Sequence, residues 1–303
     1  MQSFFEKTNL EKIKSLESAP EIVENFLSVE EVQKLIDFES NASNRFVDRR
    51  DGRKTGLGFD GKIGKNVQDW DETIKDILVD KIEKKIGPFE VVADEYPPHF
   101  FRSIFPTAMH ADTGHDPNAR IGKQILIPLE VVPKDSKAKT ILFDRKWYGP
   151  AANFIAKNAN ASEIKNHHVI PDSNGKFIKF SDIKIFYEKI KEKRGQTIEE
   201  NGGIFQITDE FLDYVKSLIG KERYNEMTNE HITNNEFFDK EKYDELLTHL
   251  DYDSLQSLKI EKIFDWKPCS ALIWDRTTLH ASNNYLADGV KNKLGMAIFT
   301  VRK

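Results

Sequence analysis

Two stretches with the sequence pattern of β-strands lie far apart in this chain of 303 residues. Residues 90–145 and 259–303 both contain short runs of aromatic and branched side chains, broken by prolines or polar segments, which is typical of strands and turns. Residues 146–258 between them are rich in charge, and apolar residues recur at helical spacing over 183–190 and 211–218. The fold must therefore make neighbours of strands that are distant in the sequence.

A mainly β fold with flanking helices, an α+β arrangement, meets this requirement. In a double-stranded β-helix, the jelly-roll or cupin-like sandwich, strands from both ends of the chain alternate within two sheets. We predict one such domain over residues 1–303, with residues 90–145 and 259–303 as its core and 146–258 as a helical insertion. Long insertions in compact domains are often lids, so we expect this one to flank the mouth of the active site.

Residues 1–89 are predicted to support this core with helices and strands. Ser28 and Glu31 have the spacing of a capping box, which marks the start of a first helix. A second helix is predicted from about Asp71, and it should end at Gly87 because a proline follows that glycine.

Composition excludes several classes of protein. No apolar run approaches the roughly 18 residues that a membrane span needs, and the first 14 residues lack a continuous apolar segment, so we expect a cytoplasmic protein without membrane association. The net charge is −5 and the basic residues are dispersed, which gives no indication of a nucleic-acid partner. The sequence does not indicate an oligomeric state.

The segment from His110 to Asp112 is the first candidate for metal binding. Side chains two residues apart on a strand point to one side, so the imidazole and the carboxylate can share an ion. His280 follows a second strand pattern and is the candidate for a third ligand. Two His and one carboxylate form the facial triad of non-haem Fe(II) oxygenases, whereas a closed zinc site would usually use Cys, and Cys269 is the one cysteine.

Three stretches around these residues resemble the 2-oxoglutarate/Fe(II)-dependent dioxygenase superfamily, and most of all its prolyl-hydroxylase-like branch. The first, residues 24–31, is similar to the entry to that branch's first helix. The second runs from Phe105-Pro106 to the His-x-Asp segment at 110–112. The third and most specific is Ala271-Leu-Ile-Trp-Asp-Arg276 followed by Leu279-His-Ala-Ser282, with a basic residue on a terminal strand.

The resemblance implies an oxygenase that binds Fe(II) and the cosubstrate 2-oxoglutarate, with ascorbate as a further cofactor to test. It implies hydroxylation of a C–H bond in a protein side chain, a peptide or a small molecule, with succinate and CO2 as co-products. His110, Asp112 and His280 would then be the metal ligands.

The resemblance also implies a basic residue for the distal carboxylate of 2-oxoglutarate. Lys293 matches this position better than Lys291, because it shares a strand face with Gly295 and the small residue leaves room. Gln124 is a candidate for the cosubstrate carboxylate, with a solvent-facing role as the alternative. The sequence departs from the branch at Pro128, where many relatives carry an aromatic residue.

Two other functions fit parts of the pattern. A non-catalytic jelly-roll module could bind a metal at the same residues, since a fold does not establish a function. His115-Asp116 would suit a metal-dependent phosphohydrolase, but such enzymes are helical throughout and a β-rich run follows here.

Overall fold

The computed structural model describes residues 7–41, 45–48, 53–56, 70–91, 98–112, 121–148, 152–154, 168–180, 182–219, 226–227, 231–232 and 234–302. Its helices are α1 (Lys7–Ser15), α2 (Val29–Asn41), α3 (Glu72–Ile86), α4 (Ile183–Ile190), α5 (Asp209–Leu218) and the short α6 (Lys240–Lys242). Its strands are β1 (Glu21–Val23), β2 (Arg45–Asp48), β3 (Arg53–Gly56), β4 (Phe89–Val91), β5 (His99–Ser103), β6 (His110–Ala111), β7 (Ile121–Val132), β8 (Lys139–Lys146), β9 (Ala152–Phe154), β10 (His168–Pro171), β11 (Phe177–Phe180), β12 (Thr197–Glu200), β13 (Gly203–Gln206), β14 (Glu226–Met227), β15 (Ile260–Asp265), β16 (Ala271–Asp275), β17 (Thr278–Ser282) and β18 (Asn292–Arg302).

Two sheets form the predicted jelly-roll sandwich. The major sheet has the order β1-β16-β7-β18-β5-β3-β2, with β4 also paired to β18, and the minor sheet has the order β14-β9-β6-β17-β8-β15. Strands from both β-rich stretches alternate in each sheet, as β7 beside β16 and β6 beside β17 illustrate. The α+β jelly-roll prediction is therefore confirmed.

Helices α2 and α3 cover the outer face of the major sheet. Ser28 and Glu31 exchange the two hydrogen bonds of a capping box, at 2.8 and 3.2 Å, so α2 begins where the sequence predicted. Asp71 caps α3, and Gly87 ends it with a backbone bond to the carbonyl of Glu83. Leu35 on α2 and Ile74 on α3 are fully buried against this face of the sheet. None of the helices in the described segments is long and apolar enough to cross a membrane.

The insertion is more varied than a helical segment. Within it, β9 joins the minor sheet beside β6, and residues 168–219 form two hairpins and two helices around a hydrophobic core of their own. A third part, within residues 238–258, packs on the outer face of the minor sheet against Phe143 and Leu279. The predicted helices α4 and α5 are present, but the strands between them were not predicted, because short hairpins leave little periodicity in the sequence.

The space between the two sheets is lined by a separate hydrophobic cluster. Phe101, Leu126 and Phe299 from the major sheet meet Leu142 and Phe264 from the minor sheet there. On β18 the residues alternate, since Leu294 and Met296 face the helices while Ala297 and Phe299 face this interior. Polar side chains that enter the interior are thus surrounded by apolar walls.

Candidate metal centre

His110 and His280 lie directly opposite each other in the minor sheet. Strand β6 pairs with β17 so that these two residues are in register, and their ring centroids are 4.1 Å apart. Their neighbours Met109, Ala111 and Leu279 face outwards, so alternation along the strands turns both imidazoles inwards.

Asp112 completes a group of three ligand types at this position. Its Oδ2 atom is 3.6 Å from Nε2 of His110 and 3.3 Å from Nε2 of His280. One ligand atom from each residue can be chosen so that all three lie within 4.8 Å of one another, and no other such group of three occurs among the described residues. The spacing suits a single ion that the three side chains would share.

The backbone fixes how both histidines present their nitrogens. Nδ1 of His110 is 2.6 Å from the carbonyl oxygen of Ala108, and Nδ1 of His280 is 3.0 Å from that of Thr278. A carbonyl can only accept, so each Nδ1 donates to it and each Nε2 is the atom left to bind a metal. Such second hydrogen bonds set the tautomer and the ring orientation of histidine ligands.

A pair of reciprocal hydrogen bonds ties together the segments that carry the two histidines. The backbone N–H of Thr107 donates to Oγ of Ser282 at 2.7 Å, and that of Ser282 donates to Oγ1 of Thr107 at 3.2 Å. The carbonyl of Thr107 lies 3.2 Å from Nε2 of His249, a buried residue of the insertion. Burial lowers the pKa of His249 to about 4, so this imidazole is neutral at pH 7 and donates to the carbonyl.

Lys293 is buried inside the sandwich, whereas Lys291 is exposed. The side-chain nitrogen of Lys293 lies 3.8 Å from the ring centroid of Trp266 and 4.9 Å from that of Tyr285, within the range of cation–π contacts. Ser103 is its cross-strand neighbour on β5 and is fully buried, and its Oγ makes no hydrogen bond to any described residue. Lys293 and Ser103 thus place an amine and a hydroxyl beside each other in the interior.

Gln124 is also buried, which rules out the solvent-facing alternative. It pairs with Trp274 across β7 and β16, and the Trp274 ring lies 5.2 Å from the ring of His280. Oε1 of Gln124 and Nε1 of Trp274 are buried without a hydrogen-bond partner among the described residues. Unsatisfied polar atoms are costly in an apolar interior, so a ligand that bonded them would be favoured.

The sequence patterns predicted His110, Asp112 and His280 as one group of metal ligands, but they gave no sign of Ser103, Thr107 or Trp266. Their roles depend on pairing between strands that are remote in the chain, and no local pattern marks them. His115 and Asp116 lie outside the described residues, while the described flanks on either side, β6 and β7, are strands and not the helices that a helical phosphohydrolase would need.

No protein-family model matches this sequence, and no curated protein matches it. Among solved structures, the chain is similar to the epimerase SnoN in complex with Fe3+, alpha ketoglutarate and nogalamycin RO, with a TM-score of 0.40 and 10% identity over 98% of this chain and 85% of that one. It is also similar to HygX from Streptomyces hygroscopicus with nickel and 2-oxoglutarate bound, with a TM-score of 0.37 and 8% identity over 99% and 88% of the two chains. The alpha ketoglutarate dependent carbocyclase SnoK gives a TM-score of 0.37 and 10% identity over 98% and 87%.

Proposed function

We propose that this protein is an Fe(II)- and 2-oxoglutarate-dependent oxygenase whose metal is bound by His110, Asp112 and His280. The observation that carries the proposal is the convergence of two inward imidazoles and one carboxylate on a single point, with ligand atoms within 4.8 Å of one another. Two histidines and one carboxylate on one face of an octahedron leave the opposite positions open, which is the arrangement that non-haem Fe(II) oxygenases require.

The donor set fits this metal better than it fits a structural zinc ion. The described residues offer three ligands here and no thiolate, whereas structural zinc sites are closed by four ligands and usually include Cys. Open coordination positions serve catalysis only if a cosubstrate can bind beside the metal.

The buried pair of Lys293 and Ser103 suits the distal carboxylate of 2-oxoglutarate. A buried lysine presents a point charge, and the unpaired hydroxyl of Ser103 supplies a hydrogen-bond donor beside it. Gln124 and Trp274, which lie beside His280, are proposed to contact the groups that bind nearest the metal.

When bound, the ferrous ion and 2-oxoglutarate supply the activation of dioxygen, with succinate and CO2 as co-products. The side chains and backbone of this protein would position the cosubstrate and the metal ligands, and would exclude water. Lys293 anchors one end of the cosubstrate, the carbonyls of Ala108 and Thr278 hold both imidazoles in the ligating tautomer, and the apolar interior around Phe299 keeps bulk water away.

Hydroxylation of a protein side chain, a peptide or a small molecule is the outcome that we propose, in line with the resemblance to the prolyl-hydroxylase-like branch. The insertion is proposed to contribute to the substrate side of the site. Its core at residues 168–219 packs on Phe105, five residues before His110, and its turn at Asn174 accepts a hydrogen bond from Asn284, four residues after His280.

The test is an anaerobic titration of Fe(II) and 2-oxoglutarate, followed by a succinate assay with free amino acids, peptides and small molecules. We expect 2-oxoglutarate to bind only when Fe(II) is present and succinate to form with dioxygen. Metal binding without 2-oxoglutarate binding would contradict the proposal and favour the non-catalytic module.

A further inference from the structure

Arg276 is a buried cation beside the candidate metal centre, and neither the sequence patterns nor the proposed function gives it a role. It lies in the turn between β16 and β17, and its side chain is only 1% exposed. Burying a charge is costly unless hydrogen bonds compensate it, so the contacts of the guanidinium indicate what it does.

The guanidinium of Arg276 links the segment that carries Asp112 to strand β18. Its Nε donates to the main-chain carbonyl of Asp112 at 3.0 Å, and its Nη1 donates to the carbonyl of Thr300 on β18 at 3.4 Å. Its carbon Cζ lies 5.8 Å from the ring centroid of Phe299, which limits sideways movement. The backbone N–H of Arg276 also donates to the carbonyl of Gly122 at 3.3 Å, and a Cβ atom on Gly122 would come within 2.6 Å of the Thr300 hydroxyl.

Asp112 needs such support because of where it lies. Strand β6 contains only His110 and Ala111, and these two residues make all its ladder pairs with β17 and β9. Asp112 is the next residue and lies just beyond the ladder pairs of the described residues, so a contact outside the ladder helps to fix its backbone. A charge-assisted hydrogen bond from a buried guanidinium can take over this task.

We infer that Arg276 is a positioning residue that holds the metal ligand Asp112 through its main-chain carbonyl. The inference rests on the proposed metal site. Arginine suits the role because its planar fork reaches two carbonyls at once, whereas lysine offers a single mobile ammonium. Supporting residues of this kind typically contribute about 10- to 100-fold to metal affinity.

The experiment is a titration of metal-free protein with Co(II), in which the dissociation constant and the visible absorption spectrum of the bound ion are both measured. The variants are Arg276→Gln and Arg276→Lys, with Arg102→Gln as the matched control, because Arg102 also donates to oxygen acceptors, but on the surface, at Glu130 and Asn292. His280→Ala reports whether the ion occupies the proposed site, and thermal unfolding of each metal-free variant reports its fold.

We expect Arg276→Gln to weaken Co(II) binding about tenfold or more and to change the spectrum, while Arg102→Gln stays within about twofold of wild type. Arg276→Lys should be at least about threefold weaker than wild type. A folded Arg276→Gln with the wild-type dissociation constant and spectrum would overturn the inference. If Arg276→Gln does not fold, Arg276→Lys is the test. A wild-type dissociation constant and spectrum for Arg276→Lys would then overturn the inference.

The same titration separates this inference from the proposed function. If His280→Ala binds Co(II) as wild type does, the metal site itself is wrong. If Co(II) binding requires His280 but is unchanged in the Arg276 variants, the metal site stands and only the positioning role is wrong.

Discussion

The two sheets of the sandwich differ in how they are held together. The major sheet contains β7 and β18, of 12 and 11 residues, which pair with each other along most of their length. The minor sheet carries the candidate metal ligands on β6 and β17, of two and five residues. Long ladders and the face covered by α2 and α3 stabilise the first sheet. In the second, residues within 238–258 cover the outer face, and side chains such as Ser282 brace the short β6 segment against β17.

We therefore expect the two sheets to have different roles. The major sheet should determine the stability of the fold, and the minor sheet should determine the geometry of the metal site at little cost to stability. Substitutions in the core of the major sheet should therefore leave metal affinity nearly unchanged, and substitutions at the metal site should leave the free energy of unfolding nearly unchanged.

The largest effect is expected from Asp112→Ala. Loss of a supporting partner alone typically costs about 10- to 100-fold in metal affinity, so loss of a direct ligand should exceed about 100-fold and abolish 2-oxoglutarate turnover. The unfolding temperature of metal-free Asp112→Ala should stay close to that of wild type. The same is expected of the control Asp265→Ala, whose side chain is exposed. Near wild-type succinate production by metal-loaded Asp112→Ala would remove this residue from the ligand set.

Phe100→Ala tests the other side of the contrast. Phe100 is fully buried under the helices, and its loss should lower the free energy of unfolding by about 3–5 kcal/mol. Phe237, which is 78% exposed, is the matched control, and Phe237→Ala should stay within about 0.5 kcal/mol of wild type. Denaturant unfolding gives these values, and a large change in the Co(II) affinity of folded Phe100→Ala would break the separation.

Lys293→Ala and Lys291→Ala compare a buried and an exposed lysine close together in the chain. A hydrogen bond to a charged group contributes about 1.5–3 kcal/mol, so Lys293→Ala should raise the 2-oxoglutarate concentration for half-maximal turnover by about 10- to 100-fold. Lys291→Ala should leave it unchanged. The assay is run with Fe(II) saturating, and the reverse pattern would transfer the role to Lys291.

The smallest effect is expected from Ser282→Ala, which removes the hydroxyl that accepts from the backbone N–H of Thr107. One such bond contributes about 1 kcal/mol, so Co(II) should bind about fivefold more weakly. Ser270→Ala is the control, since Ser270 is equally buried and its hydroxyl donates to the carbonyl of Lys267 in the turn before β16. Equal Co(II) affinities for both variants would show that this brace does not act on the metal site.

Local patterns in the sequence were sufficient for the features that local contacts determine. The start of α2 and both ends of α3 were predicted, because Ser28, Asp71 and Gly87 act within one helical turn of themselves. The metal-site residues could be proposed because His110 and Asp112 are two apart on a strand, and because the motif around His280 resembles that of a known superfamily.

Tertiary structure alone decided the rest. The pairing of Lys293 with Ser103 joins residues 190 positions apart, and the bond from Arg276 to Asp112 spans 164. Register between such strands is set by which faces are buried in the completed sandwich, and this depends on every strand at once. The sequence thus determined where α2 starts, where α3 starts and ends, and the chemistry available to the site, while the packing of the two sheets decided which side chains meet there.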